Sequence, residues 1–118
     1  VRSILGRFLD HSRIYYFRNG QEDPAKGDFF IGSADWMYRN LYSRVECLVP
    51  ILDPHLKNEL WALLEMLLDS EIEHWSMRSS GKYIRKGKPE YSESLHAKLI
   101  DRYQERERIW LETTEEGV

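Results

Sequence analysis

Arg13-Ile14-Tyr15-Tyr16-Phe17 and Asp28-Phe29-Phe30-Ile31 decide the reading of this chain. Both runs are β-branched and aromatic, a composition that fits a pleated, half-buried surface, and each reads as a strand. Between them lies Arg18-Asn19-Gly20-Gln21-Glu22-Asp23-Pro24-Ala25-Lys26-Gly27, a polar stretch whose Gly, Asn, Asp and Pro each favour turn dihedrals. The simplest arrangement is a β-hairpin with a long, solvated tip. Folding the chain symmetrically about residue 22 or 23 sets His11 opposite Ser33 or Asp35, and Arg13 opposite Ile31 or Ser33. Two short motifs, His11-Ser12-Arg13 and Ile31-Gly32-Ser33-Ala34-Asp35-Trp36, therefore meet at the open end of the hairpin. Side chains alternate along a strand, so His11 and Arg13 share a face. Two donors on one face, beside an exposed Gly-Ser backbone, suit a tetrahedral anion.

Working outward, Ile4, Leu5, Phe8 and Leu9 follow helical spacing and predict a short helix over residues 2 to 9. Its C-terminal end would favour a protonated His11. Asp35 to Tyr42 reads as a turn or a short helical stretch. Arg39 and Asn40 there either reach the site or sit on an ordinary surface loop. Arg44 to Pro50 reads as a third strand, with Val45, Cys47 and Val49 on one face. Asp53-Pro54 is a helix start, because Asp caps exposed amides and Pro suits the first helical position. Leu56, Leu60, Leu63, Leu64 and Leu67 carry that helix to about Asp69 and cover one sheet face. Ile72 to Met77 and Lys82 to Arg85 read as strands around an Arg78-Ser79-Ser80-Gly81 turn. Ser92 caps a final helix with Leu95, Leu99, Tyr103 and Trp110 as its buried stripe. Alternating charges from Asp101 to Arg108 make its solvated face. Glu115 to Val118 read as a frayed tail.

The 118 residues suit one modest domain. Trp36, Trp61, Trp75 and Trp110 offer large pieces for its core. The net charge of −3 does not itself announce a polyanion partner, so anion binding must come from local Arg and Lys clusters. Cys47 is the single cysteine, which excludes an internal disulfide and suits a reducing compartment. No apolar run approaches a membrane span, and no signal peptide, repeat or low-complexity linker is visible. His11, His55, His74, His96 and Cys47 show no metal-ligand spacing, and His74 reads as structural.

His11-Ser12-Arg13 with Gly32-Ser33-Ala34-Asp35 resembles the phospholipase D superfamily pattern of His-x-Lys, four residues, Asp, and a later Gly-Ser-x-Asn. It departs from that pattern at Arg13, Arg18 and Asp35, where the superfamily has Lys, Asp and Asn. One branch fits far better. Phe8 to Phe17, then Gly32-Ser33-Ala34-Asp35-Trp36-Met37, Arg39-Asn40-Leu41 and Arg44-Val45-Glu46, closely resemble the C-terminal catalytic domain of polyphosphate kinases. The motif-rich match covers roughly residues 1 to 54, and the rest agrees in layout.

That resemblance implies an α+β fold: a partial phospholipase D-like domain with a largely antiparallel mixed sheet and flanking helices. Residues 1–118 would be a single domain fragment, the last part of the kinase's C-terminal domain. The resemblance implies reversible transfer of the terminal phosphate of ATP to polyphosphate in a bacterial, cytoplasmic enzyme, which in its parent form could associate with the membrane. The phosphorylated histidine and the Mg2+ ligands would lie upstream of this chain, which alone would be inactive. His11 matches a family histidine tied to nucleotide binding and a supporting catalytic role. An imidazole near neutrality can protonate or stabilise a leaving oxygen. His11, Arg13, Ser33, Asp35, Arg39 and Asn40 are the expected ATP and phosphate site. Within it, Arg13 supplies a fork of donors, and Asp35 orients His11 or an arginine, since two anions repel. ATP or ADP, polyphosphate, the upstream domains and a homo-oligomer are the expected partners, without nucleic acid. Lys82, Arg85, Lys86 and Lys88 read better as a solvated hairpin edge than as a polyphosphate surface. Two other readings remain: a non-catalytic polyanion-binding module using those cations, and half of a phospholipase D-type phosphodiesterase.

Overall fold

The computed structural model describes residues 1–87 and 94–115. It is α+β, and its residues divide into two compact units, Val1–Leu9 with Met66–Val118, and Asp10–Glu65. Among the described residues all strand pairs are antiparallel, but they form two three-stranded sheets and not one.

The second unit holds the hairpin. β2 (Ile14–Phe17) pairs with β3 (Asp28–Gly32) in the register Ile14 to Ile31, Tyr15 to Phe30, Tyr16 to Phe29. The centre of symmetry falls midway between residues 22 and 23, and Gly32 N donates to Arg13 O at 3.2 Å. The tip turns through Asn19 and Gly20, both at positive φ, and then through a 3-10 turn at Pro24–Lys26 capped by the Asp23 side chain. Arg18 is spent here, donating to the carbonyls of Gln21 and Glu22. β4 (Leu48–Ile51) pairs with β3 at the sheet edge.

The third strand thus starts four residues later than the pattern Arg44 to Pro50 implied. Val45 and Cys47, read as sharing a strand face with Val49, precede β4 and are exposed. Residues 44–47 leave the ladder because Ser33 takes hold of Cys47 on both of its backbone groups. Pro50 is tolerated within β4 because an edge strand has one side with no ladder to serve.

α1 (Tyr38–Ser43) follows β3, and α2 (Pro54–Leu68) follows β4. Asp53 caps α2 as its sequence predicts, its carboxylate accepting from His55 N at 2.7 Å and Leu56 N at 3.0 Å. Trp61 of α2 lies 5.2 Å from Tyr16, whose ring lies 4.7 Å from Phe29. Phe29 is the fully buried side chain at this face.

In the first unit the predicted helix over residues 2 to 9 is absent. β1 (Arg2–Ile4) pairs instead with β5 (His74–Met77), which pairs with β6 (Tyr83–Lys86). Eight residues are too few to sustain a helix unaided, whereas a strand partner satisfies their backbone at once. The helix terminus once expected to favour a protonated His11 goes with it. Ile72 and Leu95 form the buried core, beside Ala97 and the structural His74, whose Nδ1 donates to Ile72 O at 2.7 Å. α3 runs Leu95–Glu115, with Ser94 Oγ accepting from Ala97 N at 3.3 Å. Glu115 therefore belongs to the helix, not to a tail. Tyr103 and Trp110, predicted as a buried stripe, are exposed, as are Trp36 and Trp75. Lys88, Ser92 and residues 116–118 lie outside the described residues. Among the described residues no helix is long and apolar enough to cross a membrane.

Candidate functional site

Arg13 and Asp35 meet at the open end of the hairpin. Arg13 Nε donates to Asp35 Oδ1 at 2.8 Å and Nη2 donates to Oδ2 at 3.2 Å, a two-point grip of one plane on another. Arg13 Nη1 also donates to His11 O at 3.0 Å. A guanidinium has five N–H groups. These three bonds leave one further N–H on each Nη, donors that an oxyanion can use. Asp35 is thus paired with an arginine, one of the two kinds of partner its sequence reading offered.

The electrostatics follow from this pairing. The Arg13 hydrogen bonds hold the Asp35 carboxyl below the usual carboxylate range, with help from the charges of Arg13, Arg39 and His11. Asp35 in turn raises the Arg13 pKa, so Arg13 is a fixed cation. Because the folded Asp35 pKa is depressed, its stabilising contribution is present above the unfolded value near 4. It is lost as pH falls through the lower folded value. Acid unfolding followed by circular dichroism should therefore show a shallower acid limb for Asp35→Asn than for the parent. Identical limbs would mean that the pair contributes nothing to folding.

Ser33 is placed at the site but is already occupied. Its Oγ donates to Glu46 Oε2 at 2.5 Å and accepts from Cys47 N at 3.1 Å, while its own N donates to Cys47 O at 3.1 Å. A phosphate oxygen reaching the Ser33 hydroxyl must displace Glu46. Gly32 permits the approach of that segment, since a Cβ there would stand 2.7 Å from Cys47 O.

His11 is exposed, and its charge reaches Asp35. Arg39 is exposed on α1 and also acts on Asp35 through its charge. Asn40 lies on α1 beside Asp35 and is not on an exposed loop. It is 3% exposed, and its Nδ2 donates to Asp35 O at 3.3 Å.

Two hollows flank these residues. One, of about 440 Å³, is lined by Ser12, Arg13, Gly32 and Ser33 over a floor of Ile14 and Ile31. The other, of about 390 Å³, is aromatic, with Tyr15, Phe17, Phe30 and Trp36 around it and Glu46 as its carboxylate. Sequence reading passed over Tyr15 and Glu46 as site residues. Tyr15 was findable, because alternation puts it on the Arg13 face. Glu46 was not, because its place depends on where β4 begins. Among the described residues no group of three or more His, Cys, Asp or Glu side chains gathers to hold a metal ion.

A family model described as Polyphosphate kinase C-terminal domain 2 matches residues 1–98. A polyphosphate kinase of Synechocystis sp. is 46% identical over 99 residues, aligning 82% of this chain with 13% of that protein. A polyphosphate kinase of Neisseria meningitidis serogroup B is 48% identical over 86 residues, 72% of this chain and 12% of its own length. The crystal structure of polyphosphate kinase from Porphyromonas gingivalis matches with a TM-score of 0.74 at 35% identity, covering 92% of this chain and 16% of that one. The chain therefore spans roughly an eighth of the curated relatives it matches. With the family model covering most of the chain and both sequence and fold agreeing, this protein belongs to the polyphosphate kinase C-terminal domain 2 family.

Proposed function

We propose that this chain is the C-terminal part of the C-terminal domain of a polyphosphate kinase, phospholipase D-like in fold. In this reading it supplies part of the phosphate site for reversible transfer between ATP and polyphosphate. The observation that carries this is the Arg13 guanidinium, held in plane by Asp35 with an N–H left over on each Nη. Stabilising charge on the transferring group is most of what a phosphotransferase has to do. A pre-aligned arginine does so without reorganising at the moment of transfer. His11 stands beside it to protonate or stabilise a leaving oxygen, while the phosphorylated histidine belongs to residues outside this chain. In the same reading, Mg2+ is held by residues outside this chain. Location in the cytoplasm and assembly into a homo-oligomer are part of the same proposal.

The phosphodiesterase reading asks for an acidic residue at position 18, where Arg18 instead fastens the hairpin tip. The polyanion-module reading asks for unneutralised charge on β6, where Arg85 is paired with Glu73.

Calorimetric titration of this chain with tripolyphosphate tests the proposal. Charge-assisted hydrogen bonds are worth about 1.5–3 kcal/mol, so Arg13→Ala should weaken binding by roughly ten- to a hundredfold. Unchanged affinity in that variant, with loss on replacing Lys82, Arg85 and Lys86 together, would move the site to β6.

A further inference from the structure

The Arg13 fork is useful only if Asp35 stays where it is, and Asp35 lies on a segment with no strand or helix of its own. β3 ends at Gly32 and α1 begins at Tyr38. What holds residues 34–37 is a set of side-chain ties on both sides of the Asp35 carboxylate. The Tyr15 hydroxyl donates to Ala34 O, and the Tyr15 ring stacks against Trp36 with centroids 6.1 Å apart and planes 23° apart. Asn40 Nδ2 donates to Asp35 O, which also accepts from Met37 N at 2.7 Å. The residue before Asp35 and the residue after it are therefore both fastened to one phenol ring. Asp35 itself is fastened to the first turn of α1.

We propose that Tyr15 and Asn40 are positioning residues, which fix the Ala34–Trp36 segment so that Asp35 presents Arg13 to phosphate. This rests on the phosphate-site reading given above. Tyr15 suits the task because it is held in β2, two residues after Arg13, so the brace is anchored in the strand that Arg13 leads into. Asn40 suits it for a different reason. Its amide is buried, and its Oδ1 has no hydrogen-bond partner among the described residues. A buried polar atom without a partner costs stability, so the packing of this side chain is not what the fold would choose for itself. The donating half of the amide is the half in use, and it is used on Asp35. Neither residue touches the phosphate in this scheme. Each acts through Asp35 and Arg13.

The test separates this scheme from a general role in folding. Tyr15→Phe removes one hydroxyl and keeps the ring. Asn40→Asp keeps the shape and removes the amide donor, and Asn40→Ser serves if the buried carboxylate prevents folding. The first readout is the Arg13 Nε–H resonance of the labelled chain and its exchange with water. The second is tripolyphosphate affinity, measured for each variant with and without Asp35→Asn. Each single variant should speed Nε–H exchange roughly fivefold and weaken binding by a similar factor. In the Asp35→Asn background the same substitutions should add almost nothing, because the residue they act through is already altered. An unmoved Arg13 resonance in two folded variants, one at each position, would overturn the proposal whatever the binding does. So would losses of affinity that simply add to that of Asp35→Asn. A mobile Arg13 with no change in tripolyphosphate affinity would uphold the positioning role and instead defeat the phosphate-site reading.

Discussion

Polyphosphate synthesis from ATP should fall by about 10²- to 10⁴-fold when His11→Gln is made in a full-length kinase carrying these residues. Glutamine keeps a polar side chain of similar reach but cannot exchange a proton near neutral pH. The loss therefore isolates acid–base chemistry from hydrogen bonding. His11 is exposed and its ring is not needed to hold the Arg13–Asp35 pair, whose tie to His11 runs through the backbone carbonyl. The variant should accordingly fold and bind tripolyphosphate nearly as the parent does. Loss of turnover with retained binding would put His11 at the transferring phosphate. Full turnover would reduce it to a surface residue and leave Arg13 as the chain's contribution.

The second large effect concerns the fold. Phe29→Ala should destabilise the unit formed by Asp10–Glu65 by about 3–5 kcal/mol, measured by urea unfolding. Phe29 is 1% exposed and lies against Tyr16, which continues the contact to Trp61. Its removal leaves a cavity where β3 meets its neighbours, and a typical domain has only about 5–15 kcal/mol to lose. Trp110→Ala is the matching control. It removes a larger ring that is 64% exposed, and the cost should stay within about 0.5 kcal/mol. A loss below about 1 kcal/mol for Phe29 would mean that the sheet and α2 are not held together as described.

Some of this was readable in the residues and some was not. The hairpin was readable because two aromatic strands and a turn-rich link leave one economical way to fold back, and that brought the two motifs to its open end, while the pairing of Arg13 with Asp35 emerged only in the structure. The start of α2 was readable because Asp53-Pro54 is a local signal with a local cause. Failures came where a distant partner decided. Residues 2–4 pair with β5 some seventy positions away, and no local pattern distinguishes that strand from one turn of helix. Residues 44–47 follow Ser33 out of the ladder, which shifted β4 and brought Glu46 to the site unannounced. Tryptophan was a poor guide to the core because a large ring on a small unit has few places to be covered on every side. The burial of Asn40 was not legible either, since burial is a property of the folded neighbourhood.

Pro50 carries one more implication. β4 is an outer strand, and its pairing with β3 places Pro50 opposite Phe30. The imide has no hydrogen to give, so its blank position must face away from β3, toward whatever comes alongside. A fourth strand, or the sheet of another molecule, would find the row of donors on that side broken at Pro50. Growth of fibrils or strand-exchanged assemblies along this border is thereby discouraged, at no cost to the internal ladder. One cyclic residue thus serves as a stop to lateral propagation.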